Sequence, residues 1–293
     1  MTRLPLLHTL ILCSFPVISH AAEVWAPGVS DQGGWVDFNK TCTDSSNYMA
    51  DMGMCWAASA SNVITWWQTQ NASKLTSANK PTETYGIDTN WDIFRTVYKD
   101  VGGNPSTAYD WYINGVGTDQ YGVPVYGDAM DWSQEYNKET GTGYQATLWN
   151  GGFLKNVGIE KTGFAVNSAG AFKNVVNAIS NGYALSVSTS PGDGSSAHAI
   201  TLWGIEYTGT IDNPENVIAY ITDSDNLNNT DGLIATSLAV KGTSLSIEYG
   251  GLVWSRVDGL RTVVVPEPSA FGLIAGTLAL ALVASSRQRN LRR

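Results

Sequence analysis

Histidine and cysteine are scarce in this sequence. The 293 residues include three histidines and three cysteines, and two of the histidines and one cysteine lie within residues 1–21. The rest of the chain keeps Cys42, Cys55 and His198. A zinc site built from histidine and cysteine needs more ligands than these. We therefore predict no metal and no cofactor, and any cysteine–histidine nucleophilic pair has to use His198.

Basic residues are also few. The chain has 17 lysines and arginines against 26 aspartates and glutamates. Without Arg3, the four terminal arginines and Glu267, residues 22–265 keep 12 basic and 25 acidic residues, a net charge of −13. Such a surface repels nucleic acid and anionic lipid. We expect no nucleic-acid partner, and membrane contact only through the C-terminal end described below.

The N-terminal end has the three parts of a secretory signal. Arg3 supplies a positive region, residues 4–18 an apolar region, and Ser19-His20-Ala21 a cleavage site between small residues. We predict that residues 1–21 are a signal peptide and that the mature protein folds outside the cytoplasm.

The C-terminal end has three parts in a fixed order. Pro266-Glu267-Pro268 precedes the uncharged residues 269–286, and the last seven residues contain four arginines. At about 1.5 Å per residue, a helix over residues 269–286 just spans a bilayer. Residues 263–293 thus resemble the PEP-CTERM sorting signal. The resemblance implies a Gram-negative host, transient anchoring in its inner membrane, and an exosortase-type enzyme that removes the tail and leaves the protein secreted or on the cell surface. The alternative is a permanent single-span anchor.

One predicted helix is centred on a cysteine. Apolar residues at 56, 60, 63, 64 and 67 form a stripe that predicts a helix buried along one face. Cys55 then lies in the first turn, beside unpaired backbone N–H groups. Thiols in that position generally lose their proton readily. The alternative is that Cys55 is a buried apolar side chain.

The remaining periodicity predicts helices first and an antiparallel sheet afterwards, an α+β architecture. Residues 117–152, rich in glycine, aromatics and acids, suit either loops at the rim of a cleft or a disordered insertion. The predicted helices cover residues 91–101, 108–116 and 169–181, and the strands cover residues 34–40, 183–189, 197–207, 217–223, 235–240 and 244–249.

A hairpin register brings a carboxylate to the histidine. If the turn over residues 208–215 centres near 210–211, the sequence numbers of any two residues that pair across the hairpin add up to about 421. His198 then lies across from Asp223. A carboxylate beside an imidazole holds its tautomer and stabilises the imidazolium. The alternative is that His198 is a solvated residue at a loop end.

Five short blocks stand out along the chain. They are Asn39-Lys40-Thr41, the Cys55 helix ending in Trp66-Trp67, Trp111-Tyr112-Ile113-Asn114-Gly115, His198-Ala199-Ile200-Thr201-Leu202-Trp203-Gly204 and Tyr220-Ile221-Thr222-Asp223-Ser224-Asp225. These blocks resemble the IdeS/Mac cysteine endopeptidases, in the order in which that family has them. The resemblance implies a papain-like two-lobed α+β fold over residues 22–262, with the nucleophile helix in a helical lobe and histidine and aspartate on an antiparallel sheet lobe.

The resemblance also implies roles. Cys55 is the nucleophile, His198 its base, Asp223 the orienting carboxylate and Asp225 a second acid of the motif. Lys40 matches the lysine that joins the Cys55 N–H in the oxyanion hole. The expected function is that of a secreted cysteine endopeptidase acting on a protein or peptide substrate. The alternative is a catalytically silent surface or matrix binding protein of the same fold.

Two further features leave alternatives open. Cys42 is close enough in sequence to form a disulfide with Cys55 in an oxidising compartment. The segment from Asp223 to Asp231 has the Asp-x-Asp spacing of a calcium loop, but Leu227 occupies the third ligand position and no glutamate closes the loop.

Overall fold

The structure is a computed structural model that describes residues 21–40, 51–75, 87–98, 103–115, 117–118, 124–125, 151–155, 157–191, 197–225 and 232–262. Residues 1–20, Cys42, most of 117–152, residues 226–231 and the tail 263–293 lie outside the described residues. None of the helices that it describes is long and apolar enough to cross a membrane. The predicted span over residues 269–286 lies outside the described part.

Antiparallel strands dominate the described chain. They are β1 (Ala22–Trp25), β2 (Gly117–Thr118), β3 (Pro124–Val125), β4 (Glu160–Ala165), β5 (Tyr183–Pro191), β6 (His198–Thr210), β7 (Asn213–Thr222), β8 (Ile234–Lys241), β9 (Ser244–Ile247) and β10 (Leu252–Arg261). Six of them pair in the order β6-β5-β10-β9-β8-β7, and β7 also pairs with β6. This second pairing closes the ring into a six-stranded barrel. Strand β1 adds to β6, and β4 adds to β10.

The predicted papain-like two-lobed α+β architecture is therefore wrong. The structure has a closed antiparallel barrel with two extra strands and four described α-helices, and not a helical lobe beside an open sheet. Closure depends on β10, which the sequence did not predict. A bulge between Trp254 and Arg256 interrupts its pairing with β5 and breaks the alternation of apolar and polar residues. Local periodicity also gives no sign that β10 pairs with both β5 and β9.

The helices are α1 (Cys55–Gln70), α2 (Ile87–Tyr98), α3 (Pro105–Asn114) and α4 (Ala171–Ser180). All four were predicted, with ends that differ by a few residues. Helix α3 begins three residues earlier than predicted. Asn104 is its N-cap and accepts a hydrogen bond from the Thr107 N–H at 3.0 Å, and Pro105 takes the first helical position.

Helix α1 is buried on every side, where the sequence predicted one buried face. Each residue from Cys55 to Gln68 is buried, because α1 packs against β5 and β6 on one side and α2 and α3 on the other. Its two adjacent indoles still find partners. Trp66 Nε1 donates to Pro27 O and Trp67 Nε1 to Arg261 O, each at 2.9 Å. These bonds let polar groups remain in an interior position.

Two apolar clusters fill the molecule. The first lies between α1, α2, α3 and one face of the sheet, and it includes Ala184, Ala199 and Trp203. The second includes the alternate residues of the same strands and α4. Because side chains alternate along a strand, β5 and β6 contribute to both clusters. Helix α1 is thereby held directly on the strand that begins at His198.

The segment over residues 34–40 runs beside the end of β7. Its backbone has no strand assignment, so the predicted strand is wrong. It is held by single hydrogen bonds: Thr222 Oγ1 donates to Val36 O at 3.1 Å, and Lys40 N donates to Ser224 O at 2.9 Å. These bonds bring Lys40 to the same end of the barrel as His198.

Candidate active site

Cys55 begins helix α1. A short 3-10 turn, Met52–Met54, leads into it, and the residue is 9% exposed. Its thiol is free in the structure and lies near enough to the side chain of His198 to raise the pKa of the imidazole. The first-turn position predicted from the sequence is confirmed. It places the sulfur beside backbone N–H groups that have no partner within the helix.

His198 is the first residue of β6, and a buried carboxylate holds its ring. Its Nε2 lies 2.7 Å from Asp223 Oδ1. The side chains of His198 and Asp223 are 14% and 4% exposed. Asp223 directly follows β7, so the two groups come from neighbouring strands. With Nε2 bound to the carboxylate, Nδ1 is the nitrogen left for the sulfur.

The hairpin register behind this contact differs from the predicted one. Thr201 pairs with Thr222, and Leu202 pairs with Ile221, so paired numbers sum to 423 and not 421. Extending that register puts residue 225 opposite His198. Asp223 nevertheless reaches the imidazole, because the chain leaves the strand there and the Asp225 N–H donates back to Asp223 Oδ1 at 3.1 Å.

Asp225 lies between two cationic groups. Its Oδ1 is 2.5 Å from Lys40 Nζ, and its Oδ2 is 3.8 Å from His198 Nδ1. The Lys40 side chain is 2% exposed, whereas that of Asp225 is 30% exposed. A buried ammonium needs such a partner. The structure thus brings all five predicted site residues to one end of the barrel, and the oxyanion role of Lys40 stays a prediction.

The surroundings of His198 favour its protonated form. Burial by itself lowers the pKa of the imidazole. Hydrogen bonds to Asp223 and Cys55, together with their charges, outweigh burial and raise the pKa from 6.5 to about 10. The imidazolium is therefore present at neutral pH. A cation beside a sulfur stabilises thiolate charge in cysteine enzymes generally.

The same groups could in principle bind a metal ion. Ligand atoms of His198, Asp223 and Asp225 lie within 4.8 Å of one another. Two of these carboxylate oxygens already have charged or hydrogen-bonding protein partners, because Asp225 Oδ1 holds the Lys40 ammonium and Asp223 Oδ1 holds the imidazole. The charges of this set therefore balance through protein groups. The rest of the predicted calcium loop, residues 226–231, lies outside the described part.

Sequence reasoning missed a set of buried polar residues below the site. Ser59 and Asn62 lie one and two turns from Cys55 on the same side of α1, and both are hydrogen-bonded to β6. Their i, i+4, i+7 spacing from Cys55 is visible in the sequence. Polar residues on the sheet-facing side of a buried helix are a signal that could have singled them out.

Comparison with known proteins bears on the N-terminal part of the chain. No curated protein matches the sequence. The family model described as Mac 1 matches residues 22–99, a range that includes Lys40 and Cys55 but not His198, Asp223 or Asp225. This match supports a relationship to the IdeS/Mac family through the part of the chain that carries the cysteine helix.

Proposed function

We propose that this protein is a cysteine endopeptidase with Cys55, His198 and Asp223 as its catalytic residues. The observation that carries the proposal is the bond of 2.7 Å between His198 Nε2 and the buried Asp223 Oδ1, with the Cys55 thiol near enough to the same imidazole to raise its pKa. A nucleophile beside a base that a third group orients is the arrangement of covalent acyl transfer. The Mac 1 match over residues 22–99 supports the same class.

The chemistry follows from these positions. The Cys55 thiolate attacks the scissile carbonyl carbon, an S–C bond forms, and the carbonyl oxygen takes the negative charge. The imidazolium of His198 gives its proton to the leaving amine as the C–N bond breaks. Water then attacks the thioester carbonyl and loses its proton to His198, and the thiolate leaves with the acid released. The raised pKa of His198 suits the proton-donating step.

Asp223 and Asp225 have different roles in this proposal. Asp223 is buried and holds His198 Nε2, so it fixes the ring orientation that turns Nδ1 toward the sulfur. Asp225 holds the buried ammonium of Lys40. The Cys55 N–H and Lys40 are the candidate donors to the oxyanion, and Asp225 sets where the lysine can reach.

The test is a proteomic cleavage screen on extracellular proteins, with the wild-type chain beside Cys55→Ala and His198→Ala. We expect new peptide termini with the wild type and none with either variant, while thermal unfolding shows that both variants fold. Cleavage that persists in folded His198→Ala contradicts the proposal.

A second measurement separates a peptidase from a silent binding protein. Iodoacetamide should alkylate Cys55 stoichiometrically and much faster than a free thiol at neutral pH, because the imidazolium stabilises the attacking thiolate. Fast alkylation without any cleavage in the screen would indicate the silent binding protein. Slow alkylation would contradict the proposed role of Cys55 as a nucleophile that His198 activates.

Secretion and sorting are part of the same proposal. Their support is the signal-like composition of residues 1–21 and the PEP-CTERM-like composition of residues 263–293. We expect the released protein to lack both segments. Intact-mass analysis of protein from the native host checks this, and a mass that includes the arginine-rich terminus would favour a permanent anchor.

A further inference from the structure

A row of polar side chains on helix α1 faces the strands that carry the site. Cys55, Ser59 and Asn62 are spaced i, i+4 and i+7, which places them on one side of the helix. Cys55 contacts His198 at the top of this row. Ser59 and Asn62, 2% and 1% exposed, meet β5, β6 and β7 below it. The helix therefore meets the sheet through directed polar contacts as well as apolar packing.

Ser59 is within hydrogen-bond distance of three groups on two strands. Its Oγ lies 2.7 Å from Ser186 Oγ on β5, 2.8 Å from Ile200 O and 3.1 Å from Thr201 Oγ1, both on β6. A hydroxyl can donate one of these bonds and accept others. The Tyr109 hydroxyl, on α3, completes the group at 2.6 Å from Ser186 Oγ.

Asn62 extends the contact toward Asp223. Its Nδ2 donates to Thr201 Oγ1 at 3.1 Å and to Thr222 Oγ1 at 3.4 Å. Thr222 immediately precedes Asp223, and its hydroxyl also accepts from Trp203 Nε1 at 2.9 Å. Ser59 and Asn62 on the helix, and Thr201 and Thr222 on the strands, form what we call the polar seam. Each strand residue of the seam lies within three positions of His198 or Asp223.

The polar seam holds helix α1 at one position along the strands. Apolar contact has no direction, so apolar packing alone does not fix the position of helix α1 along the strands. A one-residue shift of the helix would move the thiol by about 1.5 Å along the axis. It would also leave several buried hydroxyl and amide groups without hydrogen-bond partners, which opposes the shift.

We propose that Ser59, Asn62 and Thr201 are positioning residues that set the distance between Cys55 and His198. The inference rests on the proposed function for its catalytic meaning, but the distance that it concerns belongs to the fold. Misplacement of a reacting group by about 1 Å can cost a rate on the order of 10²-fold. Loss of the seam should therefore reduce the reactivity of the thiol while the protein stays folded.

The chain offers matched controls for this test. Ser59→Ala removes a seam hydroxyl. Ser61→Ala removes a hydroxyl from the same buried helix whose oxygen has no hydrogen-bond partner among the described residues. Thr201→Val removes the strand side of the seam, and Thr201→Ser keeps the hydroxyl. Thr65→Val is the control for valine, because Thr65 Oγ1 accepts from Asn90 Nδ2 of helix α2 at 2.7 Å and has no hydrogen bond to Thr201 or Thr222 among the described residues.

The readouts are the iodoacetamide rate of Cys55 from pH 6 to pH 10 and the kcat and KM of the cleavage found in the screen. We expect Ser59→Ala and Thr201→Val to lower kcat and the rate at pH 6 by about tenfold or more, with KM little changed. The alkylation rates should converge at high pH, where any thiol ionises. Ser61→Ala, Thr65→Val and Thr201→Ser should stay within about twofold of the wild type.

If folded Ser59→Ala or folded Thr201→Val alkylates Cys55 at the wild-type rate, the proposal is overturned. It is also overturned if the control variants lose as much of this rate as the seam variants do. Thermal unfolding of each variant identifies loss of the fold, and two variants from opposite sides of the seam keep the test decisive. If the wild type cleaves nothing, the proposed function fails, but the pH dependence of alkylation still decides whether the seam positions Cys55.

Discussion

Two carboxylates of unequal surroundings lie beside the imidazole of His198. Asp223 is buried, and its Oδ1 lies 2.7 Å from His198 Nε2. Asp225 is 30% exposed, its Oδ2 lies 3.8 Å from His198 Nδ1, and its Oδ1 forms an ion pair with Lys40. A close, buried partner interacts more strongly with the ring than a distant, half-exposed one. The two acids should therefore matter to very different degrees.

We expect Asp223→Asn to lower kcat by about 10²- to 10⁴-fold, because the amide does not stabilise the imidazolium or hold the same tautomer. Asp225→Asn should lower kcat by about tenfold, through the freed lysine. Steady-state kinetics of both variants on one peptide checks this. The reverse order of effects would assign the orienting role to Asp225, the residue that the observed register sets opposite His198.

The protonation of His198 can be measured directly. Residues 22–293 contain a single histidine, so the ring signals of His198 in NMR need no separate assignment in a protein that starts at residue 22. We expect titration near pH 10, the value to which Asp223 and Cys55 raise the pKa. Asp223→Asn should lower the pKa, since it removes a negative charge beside the imidazolium. The cleavage rate should fall above about pH 10 as the ring loses its proton.

A titration of His198 near 6.5 in the wild type would contradict the raised pKa and with it the proton-donating role of His198. Cys55→Ala supplies the control. In this variant the pKa of His198 should lie below its wild-type value, because the Cys55 sulfur contributes both a hydrogen bond and charge.

At the scale of elements, strand β1 depends on one close contact. Trp25 pairs with Gly204 across the β1–β6 ladder, and a Cβ on Gly204 would lie 2.4 Å from the Trp25 ring. The ring also lies 4.4 Å from that of Tyr220. The glycine is therefore required for the approach of the indole to the sheet, and its backbone conformation is not the reason.

We expect Gly204→Ala to lower the free energy of unfolding by about 1–3 kcal/mol, because the indole has to move. In a Trp25→Ala background the same change should cost little. Urea unfolding of the four proteins of this double-mutant cycle measures the coupling. Equal costs in both backgrounds would show that the contact with Trp25 is not what the glycine provides.

At the scale of the whole molecule, the acidic balance favours cationic substrates. Residues 22–265 carry a net charge of −13. Long-range attraction acts on the rate of encounter and weakens as salt shortens the screening length, which is about 10 Å at 0.1 M. The surface should thus select among substrates before any contact with the site.

We expect a peptide with flanking lysines to show a higher kcat/KM than the same peptide with flanking glutamates, mainly at low ionic strength. Measuring the ratio from about 0.02 M to 0.5 M salt tests this, and the ratio should approach one as the Debye length falls. A preference that does not change with salt would indicate local contacts instead of net charge.

Much of the local structure was predictable from the sequence. The four helices follow from the 3.6-residue period and its end signals, and five barrel strands follow from alternation. The unpredicted β10 has a bulge, and the predicted strand over residues 34–40 is extended chain without a ladder. Both errors arise because strand identity depends on a partner, and the partner lies far away in sequence.

The sequence by itself determined which chemistry was available. Residues 22–293 contain one histidine, so any cysteine–histidine pair there has to use His198, and Asp223 and Asp225 follow a strand that alternation already indicates. Only the tertiary structure decided that the sheet closes and that Thr201 pairs with Thr222 across the hairpin. It also decided that Asp225 forms an ion pair with Lys40 and that Ser59 is hydrogen-bonded to Thr201. The reason is physical. Periodicity records which face of an element is buried, whereas hydrogen bonds between distant segments depend on which surfaces meet and at what register.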